Sequence, residues 1–132
     1  MKNILITGAN GQLGKEFQLL SKEDSNTYFF TDIDTLDITN AEAIEKFIKK
    51  NNIQILINCA AYTAVDKAET DKEQATLLNT HAVKYLANAC SKHKAFFIHI
   101  STDYVFDGTH YKPYTENDTT HPNSVYGHTK LE

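Results

Sequence analysis

The chain alternates between short apolar runs and longer stretches whose apolar residues recur at helical spacing. Each apolar run predicts a β-strand, and the five runs cover residues 2–6, 28–31, 36–38, 53–57 and 95–100. After the first run, Leu13, Phe17 and Leu20 recur at positions i, i+4 and i+7, which predicts an amphipathic helix. Strands that alternate with helices predict an α/β protein, with a parallel sheet of about five strands and helices on both faces.

Two more helices are predicted in the middle of the chain. Thr39 stands three residues before Glu42, which is the spacing of a capping box at the start of a helix. A second, longer helix is predicted from the apolar residues between positions 75 and 89, and Asn79 would lie on it. The charged segment at 66–73 is expected to be a solvated loop or the beginning of that helix.

A turn rich in glycine joins the first predicted strand to the first helix. Its glycines, Gly8, Gly11 and Gly14, have the spacing G-x-x-G-x-x-G. Gly8 would form the tight turn, Gly11 would let the backbone approach a pyrophosphate, and Gly14 would let the helix pack closely on the sheet. Because the free N–H groups of a helix N-terminus attract anions, we predict a dinucleotide here. The alternative is an ordinary strand-to-helix turn.

Asp32 ends the second predicted strand, where a carboxylate accepts hydrogen bonds from the adenosine ribose of NAD. The alternative is a polar residue that only closes a turn. Asp34 adds negative charge, and no lysine or arginine stands close enough in sequence to neutralise a 2′-phosphate. On electrostatic grounds these residues favour NADH over NADPH.

Several other candidate residues follow predicted strands, and ligands of parallel α/β sheets bind beyond the carboxyl ends of the strands. The fourth strand is followed by small residues that would let a loop lie against a ligand. The fifth strand is followed by a loop rich in tyrosine and acidic residues at 101–108. Together with the glycine turn and Asp32, these segments predict one binding cleft at this edge of the sheet, lined in part by Ala60, Ala61, Tyr62 and Thr63.

Tyr126 and Lys130 are the strongest candidates for chemistry. They are four positions apart, so on a helix they share a face. A lysine ammonium near a phenol favours the phenolate, which would suit Tyr126 to donate a proton to a carbonyl. Lys130 could also hold the nicotinamide ribose, and the Thr102 hydroxyl could orient the carbonyl. A tyrosine–lysine pair at this spacing is common by chance, so it gains weight only from the predicted cleft.

Composition and charge narrow the possible functions. The 132 residues fit one domain with its own core. The formal net charge of −4 and the lack of arginine argue against a nucleic-acid partner. Neither a signal peptide nor a membrane span is expected, since no apolar run is long enough. The six histidines lack metal-ligand spacing, so no metal site is expected, and Cys59 and Cys90 fit a reduced, cytoplasmic protein.

Four motifs in this order resemble the dTDP-4-dehydrorhamnose reductases, a family of extended short-chain dehydrogenases with a Rossmann fold. The motifs are TGANGQLG at 7–14, NCAAYTAVDKAE at 58–69, STDYVFDG at 101–108 and VYGHTK at 125–130. The resemblance covers the whole chain. It implies NADH- or NADPH-dependent reduction of the 4-keto group of a dTDP-6-deoxy-hexulose to dTDP-L-rhamnose, a precursor of cell-surface polysaccharide.

The resemblance also assigns roles to residues. It implies that Tyr126 donates a proton, that Lys130 assists it, that Thr102 completes the catalytic group, and that Thr102 and Asp103 contact the substrate. The implied cofactor contacts, besides Gly8, Gly14, Ala60, Tyr126 and Lys130, are Gly11, Gln12, Leu13, Asp32, Asp37, Ile38, Ala61, Tyr62, Thr63 and Ile100. A requirement for Mg²⁺ and a homodimer are implied by the resemblance alone.

Members of this family are much longer than this chain, which ends two residues after Lys130. We therefore expect residues 1–132 to form an NAD(P)-binding Rossmann domain that lacks the substrate-binding lobe, binds cofactor weakly and is inactive alone. Two other functions remain open from the residues. One is a nucleotide-sugar epimerase or dehydratase that keeps its NAD tightly bound. The other is a dinucleotide-binding regulatory subunit without catalysis, like those of methionine adenosyltransferase.

Overall fold

A four-stranded parallel sheet forms the centre of the protein in a computed structural model that describes all 132 residues. The strands are β1 (Asn3–Thr7), β2 (Thr27–Thr31), β3 (Ile55–Asn58) and β4 (Phe96–His99), arranged in the order β2-β1-β3-β4. Their register places the last residues of all four strands in one row, formed by Thr31, Thr7, Asn58 and His99. The predicted parallel α/β sheet is confirmed, with one strand fewer than expected.

Six helices surround the sheet. They are α1 (Gln12–Leu20), α2 (Ala41–Lys50), α3 (Val65–Ala68), α4 (Lys72–Thr76), α5 (Ala82–His93) and α6 (Val125–Leu131). A π-helical turn, Leu77–His81, joins α4 to α5, so the long helix predicted around Asn79 exists but contains a bulge. Short 3-10 turns occupy Ser21–Glu23 and Asp103–Val105. None of the helices is both long and apolar enough to cross a membrane.

The main core lies on one face of the sheet, beneath α2 and α5. Right-handed crossovers and the observed strand order place these two helices together and put α1 on the opposite face, as predicted. The side chains that are almost fully buried in this core are Leu5, Leu56, Ile44, Ile48, Leu86 and Cys90. The opposite face is less well covered. Phe96 and Ile98 are 66% and 37% exposed, whereas Phe97 between them packs against the core.

The predicted third strand at 36–38 is wrong. Leu36 and Ile38 are buried on either side of Asp37, and this alternation imitates a strand. The backbone instead forms turns, because the Leu36 N–H donates to the Asp32 carbonyl at 2.8 Å and the Asn40 N–H donates to the Asp37 carbonyl at 3.1 Å. The two apolar side chains therefore enter the core from a loop.

The predicted capping box is also wrong by one residue. Asn40, not Thr39, caps α2, since its side-chain oxygen accepts the Ala43 N–H at 3.0 Å. The Thr39 hydroxyl donates to the Asp37 carboxylate at 2.7 Å instead. Glu42 faces solvent and pairs with Lys46 one turn later.

The first helix is present where predicted, but it does not bury its apolar stripe. Leu13 and Leu20 are 40% and 61% exposed. The helix is anchored through Gly14, where an added Cβ would lie 2.5 Å from the Gly8 carbonyl oxygen and 2.6 Å from the Ala9 Cα. Close backbone packing, which needs glycine, therefore replaces side-chain packing at the start of α1.

Candidate active site

A cavity of about 320 Å³ opens at the carboxyl ends of β1 and β2. The glycine turn forms one wall, the residues after β2 form another, and the loop after β3 forms the floor. Its lining residues are Gly8, Gly11, Asp32, Ile33, Leu36, Asp37, Ile38, Cys59, Ala60, Ala61 and Leu78. The mixture of apolar walls with two carboxylates suits a flat ring attached to a polyhydroxylated group.

Gly8 brings the turn into direct contact with the loop after β3. Its φ angle is +66°, and an added Cβ would lie 2.6 Å from the Ala60 nitrogen. Both the left-handed conformation and the lack of space exclude any other residue. The turn and the loop consequently meet backbone to backbone, which narrows the cleft between them.

The start of α1 provides unpaired donors at the edge of this cleft. Gly11 is the N-cap and contributes no side-chain cap. The N–H groups of Gln12, Leu13 and Gly14 have no acceptor in the protein, as expected for a first helical turn. These N–H groups and the positive end of the helix dipole form a site suited to a phosphate or pyrophosphate.

Asp32 is held in place by backbone donors. One carboxylate oxygen accepts the Asn10 N–H and the other accepts the Ile33 N–H, both at 2.9 Å. The carboxylate is thus fixed between the glycine turn and the end of β2, and it lines the cavity. Asp34, which the sequence singled out beside it, does not line the cavity.

A second cavity of about 400 Å³ continues the first toward β4. The two share Gly11, Cys59, Ala60 and Ala61, so they form one cleft across the sheet edge. The remaining residues of the second cavity are Gln12, Leu13, Asn58, Thr63, Ile100, Ser101, Tyr126 and Lys130. The predicted tyrosine and lysine therefore lie together in the cleft that begins at the glycine turn.

The helix that carries this pair is seated on the 3-10 turn after β4. Ser124 caps α6 by accepting the Gly127 N–H at 3.0 Å. An added Cβ at Gly127 would collide with the Tyr104 carbonyl oxygen, so a glycine is needed for this close approach. The rings of Tyr104 and Tyr126 meet edge to face at a centroid distance of 5.6 Å, and Tyr126 is buried.

Lys130 is a buried cation without a carboxylate partner. Its Nζ donates to the Ile100 carbonyl at 2.6 Å and lies 3.2 Å from Nε2 of His99. It belongs to none of the ion pairs of the protein. Burial lowers the pKa of Lys130 below its ordinary value.

A chain of polar groups, buried except for the half-buried His99, leads from β1 to Lys130. The Thr7 hydroxyl donates to Asn58 Oδ1 at 2.6 Å, and Asn58 Nδ2 lies 3.1 Å from Nδ1 of His99. These side chains come from the aligned last residues of β1, β3 and β4. Burial, and secondarily the charge of Lys130, lower the pKa of His99 to about 4, so its imidazole is neutral at physiological pH.

The π-helical turn links the loop after β3 to α6. The Asn79 side chain accepts the Tyr62 N–H at 2.8 Å and donates to the Tyr62 carbonyl at 3.1 Å and to the Thr129 hydroxyl at 3.0 Å. The Thr80 hydroxyl donates to the Thr129 carbonyl at 2.9 Å. Bulges of this kind occur often at functional sites, and here the bulge directs neighbouring residues toward the helix that carries Lys130.

Thr102 and Asp103 lie beside the cleft rather than in it. The Thr102 hydroxyl accepts the Tyr104 N–H at 3.2 Å and donates to the Asp103 carboxylate at 3.3 Å. Both residues line a more open cavity of about 690 Å³, which adjoins the cleft through Ser101. The structure thus brings Tyr126 and Lys130 together and places Thr102 one residue away from their cavity.

Two of the predicted cofactor residues do not line the cleft. Gly14 is buried under the glycine turn. The backbone of Tyr62 is hydrogen-bonded to the Asn79 side chain, and the Tyr62 hydroxyl donates to the Asp71 carboxylate at 3.1 Å. The other predicted residues line one cavity or both. Residues of the cleft and its support that the sequence analysis missed are Ile33, Leu36, Asn58, Cys59, Leu78 and His99, most of which lie next to predicted residues. Ser101 lines the second cavity, in the loop that was expected at this edge.

No three histidine, cysteine or acidic side chains come together as a potential metal site. The two cysteines are free.

All 132 residues match the family model described as RmlD substrate binding domain. The chain belongs to this RmlD family. One relative, the dTDP-4-dehydrorhamnose reductase of Aggregatibacter actinomycetemcomitans, is 42% identical to this chain over 133 aligned residues. The alignment covers 100% of this chain and 45% of the relative. The family resemblance predicted from the four motifs is confirmed.

Solved structures agree with the RmlD assignment. A dTDP-4-dehydrorhamnose reductase from Clostridium acetobutylicum is 48% identical and superposes with a TM-score of 0.95, covering 98% of this chain and 46% of that one. The same reductase from Bacillus anthracis, solved in complex with NADP, is 36% identical with a TM-score of 0.95 and the same coverage. This chain therefore spans less than half the length of the RmlD relatives it matches.

Proposed function

We propose that the protein is the cofactor-binding part of a dTDP-4-dehydrorhamnose reductase that uses NADH or NADPH. The observation that carries this proposal is the single cleft in which Tyr126 and Lys130 share walls with the glycine turn at the start of α1. A site that only bound a dinucleotide would not require a buried tyrosine and a buried lysine at the far end of the cleft. The similarity to dTDP-4-dehydrorhamnose reductases supports the same reaction.

A dinucleotide would lie along the cleft, with its pyrophosphate at the glycine turn. The unpaired N–H groups of Gln12 and Leu13, which line the cleft, would hold the pyrophosphate. Asp32 would accept hydrogen bonds from the adenosine ribose, and the apolar walls near Ile38 and Ala61 would enclose the adenine. Lys130 would hold the nicotinamide ribose. When bound, a reduced nicotinamide supplies the hydride for reduction of a carbonyl.

Tyr126 would donate its phenolic proton to the carbonyl oxygen of the substrate as that oxygen becomes a hydroxyl. Lys130 would favour the phenolate that remains, because a positive charge stabilises a nearby negative one. Thr102 and Asp103, which border the adjoining open cavity, would contact the sugar. The dTDP group would be bound largely by the part that the RmlD relatives have and this chain does not span. The 132 residues alone would therefore not catalyse the reaction.

We also propose that NADH is preferred over NADPH. Asp32 would face the 2′ position of the adenosine ribose, and no lysine lines the first cavity to neutralise a 2′-phosphate. Cytoplasmic location is proposed from the two free cysteines and from the nature of the substrate and cofactor. Dependence on Mg²⁺ and formation of a homodimer remain predictions of the family resemblance.

The first experiment is titration of the protein with NADH and with NADPH, followed by nicotinamide fluorescence or calorimetry. We expect saturable binding of both, tighter for NADH, and loss of that preference in Asp32→Ala because the repulsion of a 2′-phosphate is removed. Asp34→Ala is the matched control and is expected to keep the preference, since Asp34 lies outside the cavity. Failure to bind either nucleotide would refute the cofactor assignment.

The second experiment tests the substrate in a longer native protein, in which these 132 residues are joined to the part that the RmlD relatives have beyond them. A dTDP-4-keto-6-deoxy sugar is expected to oxidise added NADH with formation of a 4-hydroxyl product. Tightly held NAD after purification, with isomerisation of a dTDP-sugar but no net oxidation of NADH, would favour an epimerase or dehydratase instead. Nucleotide binding with no turnover of any such sugar would favour a regulatory subunit.

A further inference from the structure

We propose that His99 is a positioning residue for Lys130. Oriented by Asn58, its imidazole carries its proton on Nε2, directs this N–H at the Lys130 amine and favours the neutral form of that amine. The inference deepens the proposed function, because it concerns the lysine assigned there to the reaction. It rests on the hydrogen-bond chain from Thr7 to Lys130 and on how many donors and acceptors that chain contains.

The orientation of the Asn58 amide is fixed by two donors. The Thr7 hydroxyl and the Ala60 N–H both approach Asn58 Oδ1, at 2.6 Å and 3.1 Å. A backbone N–H can only donate, so the atom that it approaches must be the amide oxygen. Asn58 Nδ2 is therefore the atom near His99, and it donates to Nδ1 at 3.1 Å.

This bond determines the tautomer of His99. A neutral imidazole has one N–H and one acceptor nitrogen, and Nδ1 must be the acceptor because it faces the Asn58 amide. The proton is consequently on Nε2, which lies 3.2 Å from the Lys130 Nζ. Two hydrogen-bond donors would face each other here if Lys130 carried its full ammonium charge.

Rotation of the Asn58 amide would not remove the contact between two hydrogen-bond donors but would place it at another residue. If the Asn58 amide were rotated by 180°, Nδ1 of His99 could carry the proton and Nε2 could accept from the ammonium. The amide nitrogen of Asn58 would then face the Ala60 N–H at 3.1 Å, which again sets donor against donor at a buried residue. Every group in the chain is paired only when the Lys130 amine is neutral and accepts from Nε2–H.

No nearby charge offsets this arrangement. The titratable groups that share the cavity with Lys130 are the Tyr126 phenol and the Cys59 thiol, whose pKa burial raises. Among the elements packed against α6, the carboxylate of Glu69 accepts the Val125 N–H at 2.8 Å, at the other end of the helix. Asp66 and Lys67 lie on α3, Lys72 and Glu73 on α4, Asp103 and Tyr104 on the 3-10 turn, His81 in the π-helical turn and Glu132 directly after α6, and none forms an ion pair with Lys130.

A lysine that readily becomes neutral would be able to give up a proton, in addition to stabilising the phenolate by its charge. After Tyr126 gives its proton to the carbonyl oxygen, a proton would pass from the Lys130 ammonium to the phenolate. This transfer leaves a neutral amine, which accepts the His99 Nε2–H, and restores the phenol. A proton from solvent returns to the amine before the next turnover.

The test is nitrogen-15 NMR of His99 and Lys130 in the native protein without cofactor. We expect the His99 proton on Nε2 between pH 5 and 8, and titration of the Lys130 amine below the range of free lysine. The Lys130 signal is identified by its loss in Lys130→Met. His128→Gln, which changes an exposed histidine on the same helix, is the matched control and should leave both signals unchanged.

Two variants reverse the donor pattern. Asn58→Asp keeps the shape but accepts from Nδ1–H, so the His99 proton should move to Nδ1 and Nε2 should accept from Lys130. His99→Gln offers its amide oxygen to the ammonium. Each should strengthen proton binding by Lys130 about tenfold or more, a rise in its pKa of about one unit. If Asn58→Asp does not fold, His99→Gln alone decides the result.

A wild-type His99 with its proton on Nδ1 would overturn the proposal. So would equal proton affinity of Lys130 in the wild type and His99→Gln. These readouts need neither cofactor nor substrate, so they stand even if the proposed reaction fails. If the reaction is confirmed, His99→Gln should also move the alkaline limb of the kcat profile upward by the same shift, and an unmoved limb would contradict the role in turnover.

Discussion

The two halves of the cleft are built by different means. The half near β1 and β2 is shaped by backbone, through Gly8 against Ala60 and the unpaired N–H groups at the start of α1. The half near β4 is shaped by side chains from three separate elements, β3, β4 and α6, which meet at His99 and Lys130. Only this second half contains buried groups whose pKa values are displaced toward the neutral form of a base.

From this difference we expect ligand binding to depend mainly on the first half and proton transfer on the second. Backbone donors and close contacts can hold a ligand without any titrating group, and they depend on a few neighbouring residues. Proton transfer needs groups whose charge can change, and burial of such groups is what displaces their pKa values. Variants in the half near β1 and β2 should therefore lose NADH binding, whereas variants in the half near β4 should lose turnover.

The largest expected effect is that of Tyr126→Phe on turnover. Removal of a proton donor typically costs about 10²–10⁴ in rate, so kcat of the native protein should fall by at least about a hundredfold. NADH binding should weaken by less than about tenfold, because only one hydrogen bond is removed. Steady-state kinetics and calorimetry on one preparation measure both. A retained kcat would remove Tyr126 from the chemistry.

Gly8→Ala should damage the backbone-built half. The new Cβ would lie 2.6 Å from the Ala60 nitrogen at a φ angle of +66°, so we expect a loss of about 3 kcal/mol in unfolding free energy and loss of NADH binding. Gly108→Ala is the matched control, since Gly108 has a φ angle of +71° but no atom within 4 Å. It should cost about 1 kcal/mol and leave binding intact. Equal effects of the two variants would show that conformation, rather than contact, matters at Gly8.

Stability should depend on pH through the side-chain half. The pKa of His99 is about 4 when folded and close to its ordinary value when unfolded. Between these values the unfolded chain binds the extra proton, so unfolding free energy should fall as pH drops from about 6.5 to about 4. With allowance for partial exposure, we expect a loss of about 2 kcal/mol, measured by urea unfolding. His99→Gln should flatten this window, and a wild-type curve that is already flat would contradict the buried neutral imidazole.

A change outside both halves should affect neither. Asn40→Ala removes the cap of α2, whose side chain accepts the Ala43 N–H at 3.0 Å, and should cost about 1 kcal/mol of stability. Thr39→Ala is the neighbouring control and should cost less, because Thr39 is not the cap. NADH affinity should be the same in both variants when compared at full folding. A change in affinity would mean that α2 is coupled to the cleft.

The same division explains what the sequence could predict. The strand, glycine turn and helix at residues 3–20 form one local pattern, so Gly8 and Gly11 could be predicted from their spacing. Asp32 could then be predicted because it ends the next strand. Leu36 and Ile38 were misassigned as a strand because alternate burial also occurs in a loop that packs under a helix. Periodicity reports which side chains are buried but not which backbone groups are paired.

Long-range neighbours explain the residues that were missed. Asn58 lies 41 positions before His99, and Lys130 lies 31 positions after it. Only the fold brings these three residues together. The motif around Asn58 could be recognised, but the partner of its amide could not. The burial of Asn79 depends in the same way on a π-helical bulge, for which the residues around it provide no distinctive pattern.

The side chain of Asn79 has a mechanical consequence. It bonds to both backbone groups of Tyr62 and to Thr129, so the loop after β3 and the helix α6 are tied at one point. Local opening of either segment breaks the same three bonds, and the two should therefore open as one unit in hydrogen exchange. A ligand that slows exchange in the loop would protect α6 as well, although no residue of that helix need touch the part of the ligand bound there.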